Sequence, residues 1–377
     1  MRQYTGKKIG LVLILLAGIF ACSKKEAAEK DNTNTGASAD RKAVLIQLAD
    51  EIIIPSYANF KLKLDVMVSK TNAFGNAPTV TSLQELRTAW VDAYKEWQKV
   101  EILDFGPAEM YAIRGYMNIY PANVTKITAN IAAGNANLDL PANYTASGFP
   151  GLDYLINGAG TNDTEIVAFY TSPTDGAKRI AYLKNIAAKM SAMFGFVSAE
   201  WNGAYRETFV NKTTIDASSP FSSLVNGYIR SYESAVRSGK FGIPSGAMEN
   251  GTVSPQNVEA YYKKDISLTL AKTAHLAAID FFNGKSVKSG TEGPSLKTYL
   301  NSLPSSTTLA AGINAQFAAT TQKLNAINTE NLSSVVQNNN QQMIDVYNEM
   351  QKLVPLLKVD MTSAMSISIS YTDNDGD

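Results

Sequence analysis

The chain has 377 residues, with 34 lysines and arginines balanced by 34 aspartates and glutamates, for a formal net charge of zero. That balance leaves no electrostatic footprint for nucleic acid or for an anionic bilayer surface. One cysteine and one histidine rule out a disulfide framework and a zinc site of the two-histidine helical type.

Arg2, Lys7 and Lys8 precede an apolar run over residues 10–20, and Ala21 stands directly before Cys22, the sole cysteine. The run is too short to span a bilayer, and the arrangement is that of a lipoprotein signal. Residues 1–21 are therefore expected to be removed and Cys22 to carry acyl chains, which hold a protein to a membrane at roughly 0.8 kcal/mol per buried CH₂. The expected address is the bacterial cell envelope, with Ser23 compatible with the outer membrane and either face open. Residues 22–40 hold almost no side chain able to pack and read as a flexible tether. The remainder exceeds the usual size of one core, so two helical bundles are expected, over 41–205 and 206–377.

Helical patterning begins over 42–70, with a kink or break at Pro55. The clearest helix covers 82–101: Ser82 and Glu85 form a capping-box pattern, and Leu83, Leu86, Trp90, Ala93, Trp97 and Val100 recur at steps of three and four. Further helices are expected over 123–133, 175–203, 221–238, 257–283, 295–302, 309–326 and 340–354. Glycine and proline mark loops at 105–107, 120–121, 141, 148–151 and 240–246. Residues 365–371 alternate like a strand but lack a partner of similar strength, so they read equally as an extended tail. The expected class is all-α.

Common catalytic sets are missing. Two histidines one helical turn apart, a Gly-x-Ser-x-Gly elbow, a phosphate loop and a dinucleotide fingerprint are all absent. His275 shares a stripe with Leu268, Ile279 and Phe282, which makes it first a core histidine and only secondarily a ligand. Glu101 follows Trp90, Tyr94 and Trp97 at steps of four, three and four, which carries an acid inward just before the turn at 105–107, with Asp104 beside it. The two acids are candidates to hold a cation through oxygen, unless Arg114 or a lysine simply pairs with Glu101. The terminal Asp373-Asn374-Asp375-Gly376-Asp377 resembles the start of a calcium loop but ends before the remaining ligands, and reads as a solvated tail.

The segments LRTAWVDAYKEWQKVEILDFGPAE, Gly148-Phe149 with Asp153-Tyr154-Leu155, KFGIPSG, VEAYY and FFNGK, behind a lipoprotein leader, resemble the imelysin-like proteins over residues 41–377. The resemblance implies two helical bundles related by duplication, a site in the cleft between them, a link to iron or haem uptake, and a family name taken from a peptidase said to cleave insulin. The family signature Gly-x-His-x-x-Glu falls on Gly148, Pro150 and Asp153. Its histidine is missing here, and its glutamate is shortened by one methylene, so the pair that would share a metal or a proton is broken. Pro150 suits the first turn of a helix.

Three functions follow as expectations. The first is an envelope binding protein within iron or haem uptake, using Gly148, Pro150, Asp153, Tyr154, Glu101, Asp104 and Arg114 around a small ligand or peptide and contacting the iron-uptake machinery. Any iron or other divalent cation would be held chiefly by oxygen, from Glu101 and Asp153 and at most His275. The second is a peptidase using Asp153 or Glu101 as base, and the third an envelope scaffold whose site is lost.

Overall fold

The computed structural model describes residues 35–304 and 306–371. The expected signal peptide, Cys22, most of the tether and the acidic tail at 373–377 lie outside them.

Among the described residues the fold is all-helical, with a lone bridge between Lys285 and Glu292 in place of any sheet. Helix α1 (Thr35–Gln47) runs through a π-helical stretch, Leu48–Ile53, into α2 (Ile54–Asn76). Pro55 has no amide hydrogen for the carbonyl of Glu51 four residues back. The wide π turn absorbs the mismatch, and that carbonyl accepts from the amide of Val287 at 2.8 Å. A break expected from proline is thus a continuous helix with a bulge.

Helix α3 (Val80–Val100) starts earlier than Ser82. Its N-cap is Thr79, which accepts from the Ser82 amide at 3.1 Å while the Ser82 hydroxyl accepts from the Thr79 amide at 3.0 Å. The expected stripe is buried along its whole length. Helices α4 (Val124–Ala133), α5 (Gly148–Asp153), α6 (Asp163–Thr171) and α7 (Gly176–Asn202) follow, and α2 packs between α3 and α7. Phe60 anchors that layer, with ring centroids 5.5 Å from Trp97 and 4.6 Å from Phe194.

Helix α8 (Pro220–Ser231) continues through a long π stretch, Tyr232–Gly242, to Ile243–Ser245. The segment at 240–246, expected as a loop, is therefore helical as far as Ser245, and Gly246 ends it in the left-handed region with φ 78°. Pro244, like Pro55, follows a π stretch and has no amide hydrogen to give to the winding. Helix α9 (Ser267–Asn283) begins ten residues after the expected start at 257, because residues 258–264 form turns with positive φ at Ala260 and Lys264. Helix α9 lies against α3, and α10 (Leu309–Ala326) packs on α11 (Asn340–Pro355). Residues 367–370 run extended, as a tail with no strand partner. The Asn226 amide stands in for that partner, donating to Ser368 O at 3.1 Å and accepting from Ser370 N at 2.8 Å.

No described helix is long and apolar enough to cross a membrane.

Candidate functional site

The Gly148 to Asp153 segment is held by sterics before chemistry. Gly148 has φ 66°, and a Cβ there would lie 2.4 Å from Met117 O, so only glycine fits. Phe149, next along, stacks on Tyr94 with centroids 4.3 Å apart and planes 4° from parallel. Pro150 is buried in the first turn of α5, as expected.

Asp153 ends that helix, 2% exposed. Its Oδ2 accepts from the Tyr262 amide at 2.9 Å, and its Oδ1 accepts from the Lys263 amide at 3.0 Å and from Asn157 Nδ2 at 2.9 Å. The carboxylate therefore clamps the turn at 258–264. Burial pushes its pKa up to about 7, with the three N–H donors pulling part of the way back.

The clamped turn carries Glu259, the centre of a buried polar cluster. Glu259 Oε1 accepts from Gln98 Nε2 at 2.9 Å and from Asn118 Nδ2 at 2.7 Å, and its Oε2 pairs with Lys240 Nζ. Lys240 also donates to Gln98 Oε1 at 2.6 Å. The Lys240 and Glu259 side chains are 1% and 3% exposed. Asn118 bridges to Glu101 Oε1 at 3.2 Å and accepts from the Tyr94 hydroxyl at 2.7 Å.

Glu101 is 4% exposed, as the stripe implied, and Arg114 Nε lies 3.5 Å from its Oε1. Burial raises its pKa, against the lowering pull of Lys240 and Arg114. Asp104 sits one turn further out, its pKa raised chiefly by burial, and Arg230 reaches its carbonyl at 2.7 Å and its Oδ2 at 3.3 Å. Gly227 permits that approach, since a Cβ there would meet Asp104 O at 2.8 Å. Tyr57, Trp97, Glu101, Asp104, Arg114 and Phe194 border a crevice too narrow to admit a water molecule. Three of these residues, Trp97 at Nε1, Glu101 at Oε2 and Arg114 at Nε, keep a buried polar atom with no hydrogen-bond partner among the described residues.

The structure thus connects Glu101 and Asp153 through Asn118 and Glu259, and brings Asp104 and Arg114 alongside Glu101. Tyr154 packs edge-on against Tyr262 of the clamped turn, with ring centroids 5.3 Å apart, and borders a separate cleft of about 100 Å³ with Phe169 and Arg179. His275 is elsewhere, with Nε2 3.2 Å from Phe317 O and 3.1 Å from Thr321 Oγ1. Sequence reading missed Gln98, Asn118, Lys240 and Glu259 as site residues, although KFGIPSG and VEAYY carry two of them.

A metal of the kind the signature implies does not fit these residues. Pro150 has no donor, and both oxygens of Asp153 already accept N–H bonds. No three His, Cys, Asp or Glu side chains among the described residues gather in a way that would hold an ion.

The buried groups set opposing pH slopes. Burial pushes His275 down to about 4 from 6.5, so between those values the unfolded chain holds a proton that the folded chain lacks, and stability rises with pH. Asp153 does the reverse: from 3.8 up to about 7 the folded chain keeps a proton that the unfolded chain has lost, and stability falls as pH rises. Glu101 and Asp104 act in the Asp153 direction. Urea titrations at a series of pH values should show stability falling more steeply with pH than in wild type between about pH 4 and 6.5 in His275→Gln, and less steeply than in wild type below about pH 7 in Asp153→Asn, each by up to ~1.4 kcal/mol per pH unit.

The imelysin family model, Peptidase_M75, matches residues 53–359. The chain belongs to the imelysin family. A stretch of 114 residues is 27% identical to iron-regulated protein A of Synechococcus elongatus, spanning 30% of this chain and 29% of that relative. Two crystal structures share the imelysin fold. A protein described as an iron-regulated protein A precursor, from Parabacteroides distasonis, aligns with a TM-score of 0.70 at 18% identity, over 87% of this chain and 95% of its own. An imelysin-like protein from Psychrobacter arcticum aligns with a TM-score of 0.66 at 20% identity, over 89% and 98%.

Proposed function

We propose that this imelysin-family chain is a lipid-anchored envelope protein of iron acquisition that binds rather than hydrolyses. The reading rests on one observation: both oxygens of Asp153, at the signature's glutamate position, accept amide N–H bonds from the turn at 258–264. A carboxylate so held, 2% exposed, is aimed at the chain's own backbone rather than at a bound peptide. The names of the Synechococcus and Parabacteroides relatives support the iron association. In this reading the two expected bundles meet at the Glu259 cluster. In this reading the ligand or partner is met by Trp97 Nε1, Glu101 Oε2 and Arg114 Nε, which make no hydrogen bond among the described residues. The crevice's lack of room for water favours a second reading, an envelope interaction protein without a small ligand.

Purified protein incubated with insulin chains, beside a relative with an intact Gly-x-His-x-x-Glu, should leave them uncut while the relative cleaves them. Cleavage that Asp153→Asn abolishes would overturn the binding reading. In the native host, Cys22→Ser should move the protein out of the membrane fraction, and deletion should slow growth under iron limitation. A deletion strain that grows like its parent there sinks the iron assignment.

A further inference from the structure

We infer that the cleft between α2, α3 and α9 is a binding site for a free aliphatic α-amino acid, taken side chain first. About 110 Å³ is open there. Its lining includes Ala277 with Ile52 of the π stretch and Phe281 of α9, the last two 6% and 1% exposed. Leu276 and Val287 border the same opening while 51% and 44% exposed. A dry cavity of roughly 150 Å³ takes a benzene ring, so this smaller one suits an isopropyl or isobutyl group. Two large apolar side chains left in water beside one opening are surface that such a ligand would cover.

Charge in the lining narrows the class. Its charged members are Lys99, Lys285 and Asp280, two cations against one anion, each side chain partly in water. Lys285 Nζ lies 3.4 Å from Asp280 Oδ1, and Lys99 Nζ lies 2.6 Å from Glu96 Oε1. An ammonium has three donors, so neither pairing exhausts its lysine. A simple carboxylic acid would bring a like charge to Asp280, and a simple amine would meet two like charges. An ammonium and a carboxylate on one carbon answer both signs, with Asp280 accepting from the first and a lysine donating to the second.

One wall of the cleft is built to stay in place. Residues 284–293 turn back on themselves, with Ser286 N donating to Thr291 O at 2.8 Å. Glu51 pins that turn: its carbonyl accepts from Val287 N at 2.8 Å, and its Oε2 accepts from the Ser286 hydroxyl at 2.6 Å. The carbonyl is open to this bond because Pro55 cannot donate to it. The π stretch thereby shapes a site, which is where such bulges are often kept. The cleft shares no lining residue with the Glu101 crevice, so the inference stands apart from the iron-acquisition reading.

Ligand-observed NMR titration of the purified protein with L-leucine, 4-methylpentanoate, isopentylamine and glycine tests it. L-Leucine should bind with a dissociation constant of about 0.1–1 mM, as a ligand of about nine non-hydrogen atoms allows. The other three each lack one recognised group and should bind at least about tenfold more weakly. Asp280→Asn should weaken L-leucine by a similar factor and leave 4-methylpentanoate unchanged. Ala277→Phe, which fills the cleft, should abolish binding at an unchanged melting temperature. Should Ala277→Phe not fold, Leu276→Glu on the exposed rim decides in its place, since it sets a like charge against the ligand's carboxylate. The inference is overturned if any of the three analogues binds as tightly as L-leucine, if Asp280→Asn weakens L-leucine and 4-methylpentanoate equally, or if the deciding cleft variant binds L-leucine as wild type does.

Discussion

Glu259→Gln should be the most damaging single change in the polar centre, lowering the unfolding free energy by about 3–5 kcal/mol. The substitution keeps the shape of the side chain but strands the Lys240 ammonium, 1% exposed, without its counter-charge. It also sets an amide N–H₂ against the donors of Lys240, Gln98 or Asn118, because the carboxylate of Glu259 accepts from all three. Urea unfolding of the purified protein measures the loss. The double variant Lys240→Met/Glu259→Leu should recover most of it, since the desolvation cost of both charges vanishes together. A double variant no better than the worse single one would mean that the cluster's hydrogen-bond network matters more than its charge pair.

Asp153→Ala should cost about 2–4 kcal/mol, from two backbone N–H groups that lose a charged acceptor and from the freed Asn157 amide. Asp153→Glu, which supplies the residue that the signature resemblance implies here, should not be neutral. The extra methylene pushes the carboxylate into a turn whose Ala260 and Lys264 already sit at φ 56° and 67°, and the expected cost is about 1–3 kcal/mol. Both effects should act through Glu259, so neither variant should lose stability in full when Lys240 and Glu259 are already replaced. Denaturant midpoints of the combined variants check this non-additivity.

The sequence made some of this architecture readable and hid the rest for identifiable reasons. Residues with local signatures were visible. The stripe of α3 is set by a 3.6-residue period, so the burial of Trp90, Trp97 and Glu101 could be inferred from spacing alone. The cap of α3 was misplaced by three residues because Thr79 and Ser82 each have a hydroxyl fit for the role, and only their reciprocal bonds show which is the cap. The start of α9 was placed too early because residues 257–266 look helical by composition. What stops the helix there is Asp153, more than a hundred positions away, holding the amides of Tyr262 and Lys263 in a turn.

Lys240 and Glu259 were invisible as a pair for a related reason. A buried ion pair has no periodicity, and a lysine followed by glycine and proline reads as solvated loop until the π winding of α8 is seen to carry it inward. Asp153 stands where the resemblance places the signature's acid. Its role differs from the one its position implies: it spends its oxygens on the chain's own backbone.

That substitution of structure for chemistry is tested most directly by amide hydrogen exchange at Tyr262 and Lys263. If the Asp153 carboxylate holds them, both amides exchange slowly in wild type, and in Asp153→Ala they exchange orders of magnitude faster while the amides of α3 and α7 keep their protection in proportion to global stability. Fast exchange of both amides in wild type, or protection unchanged by Asp153→Ala, would show that Asp153 is not the clamp and leave its carboxylate free for chemistry.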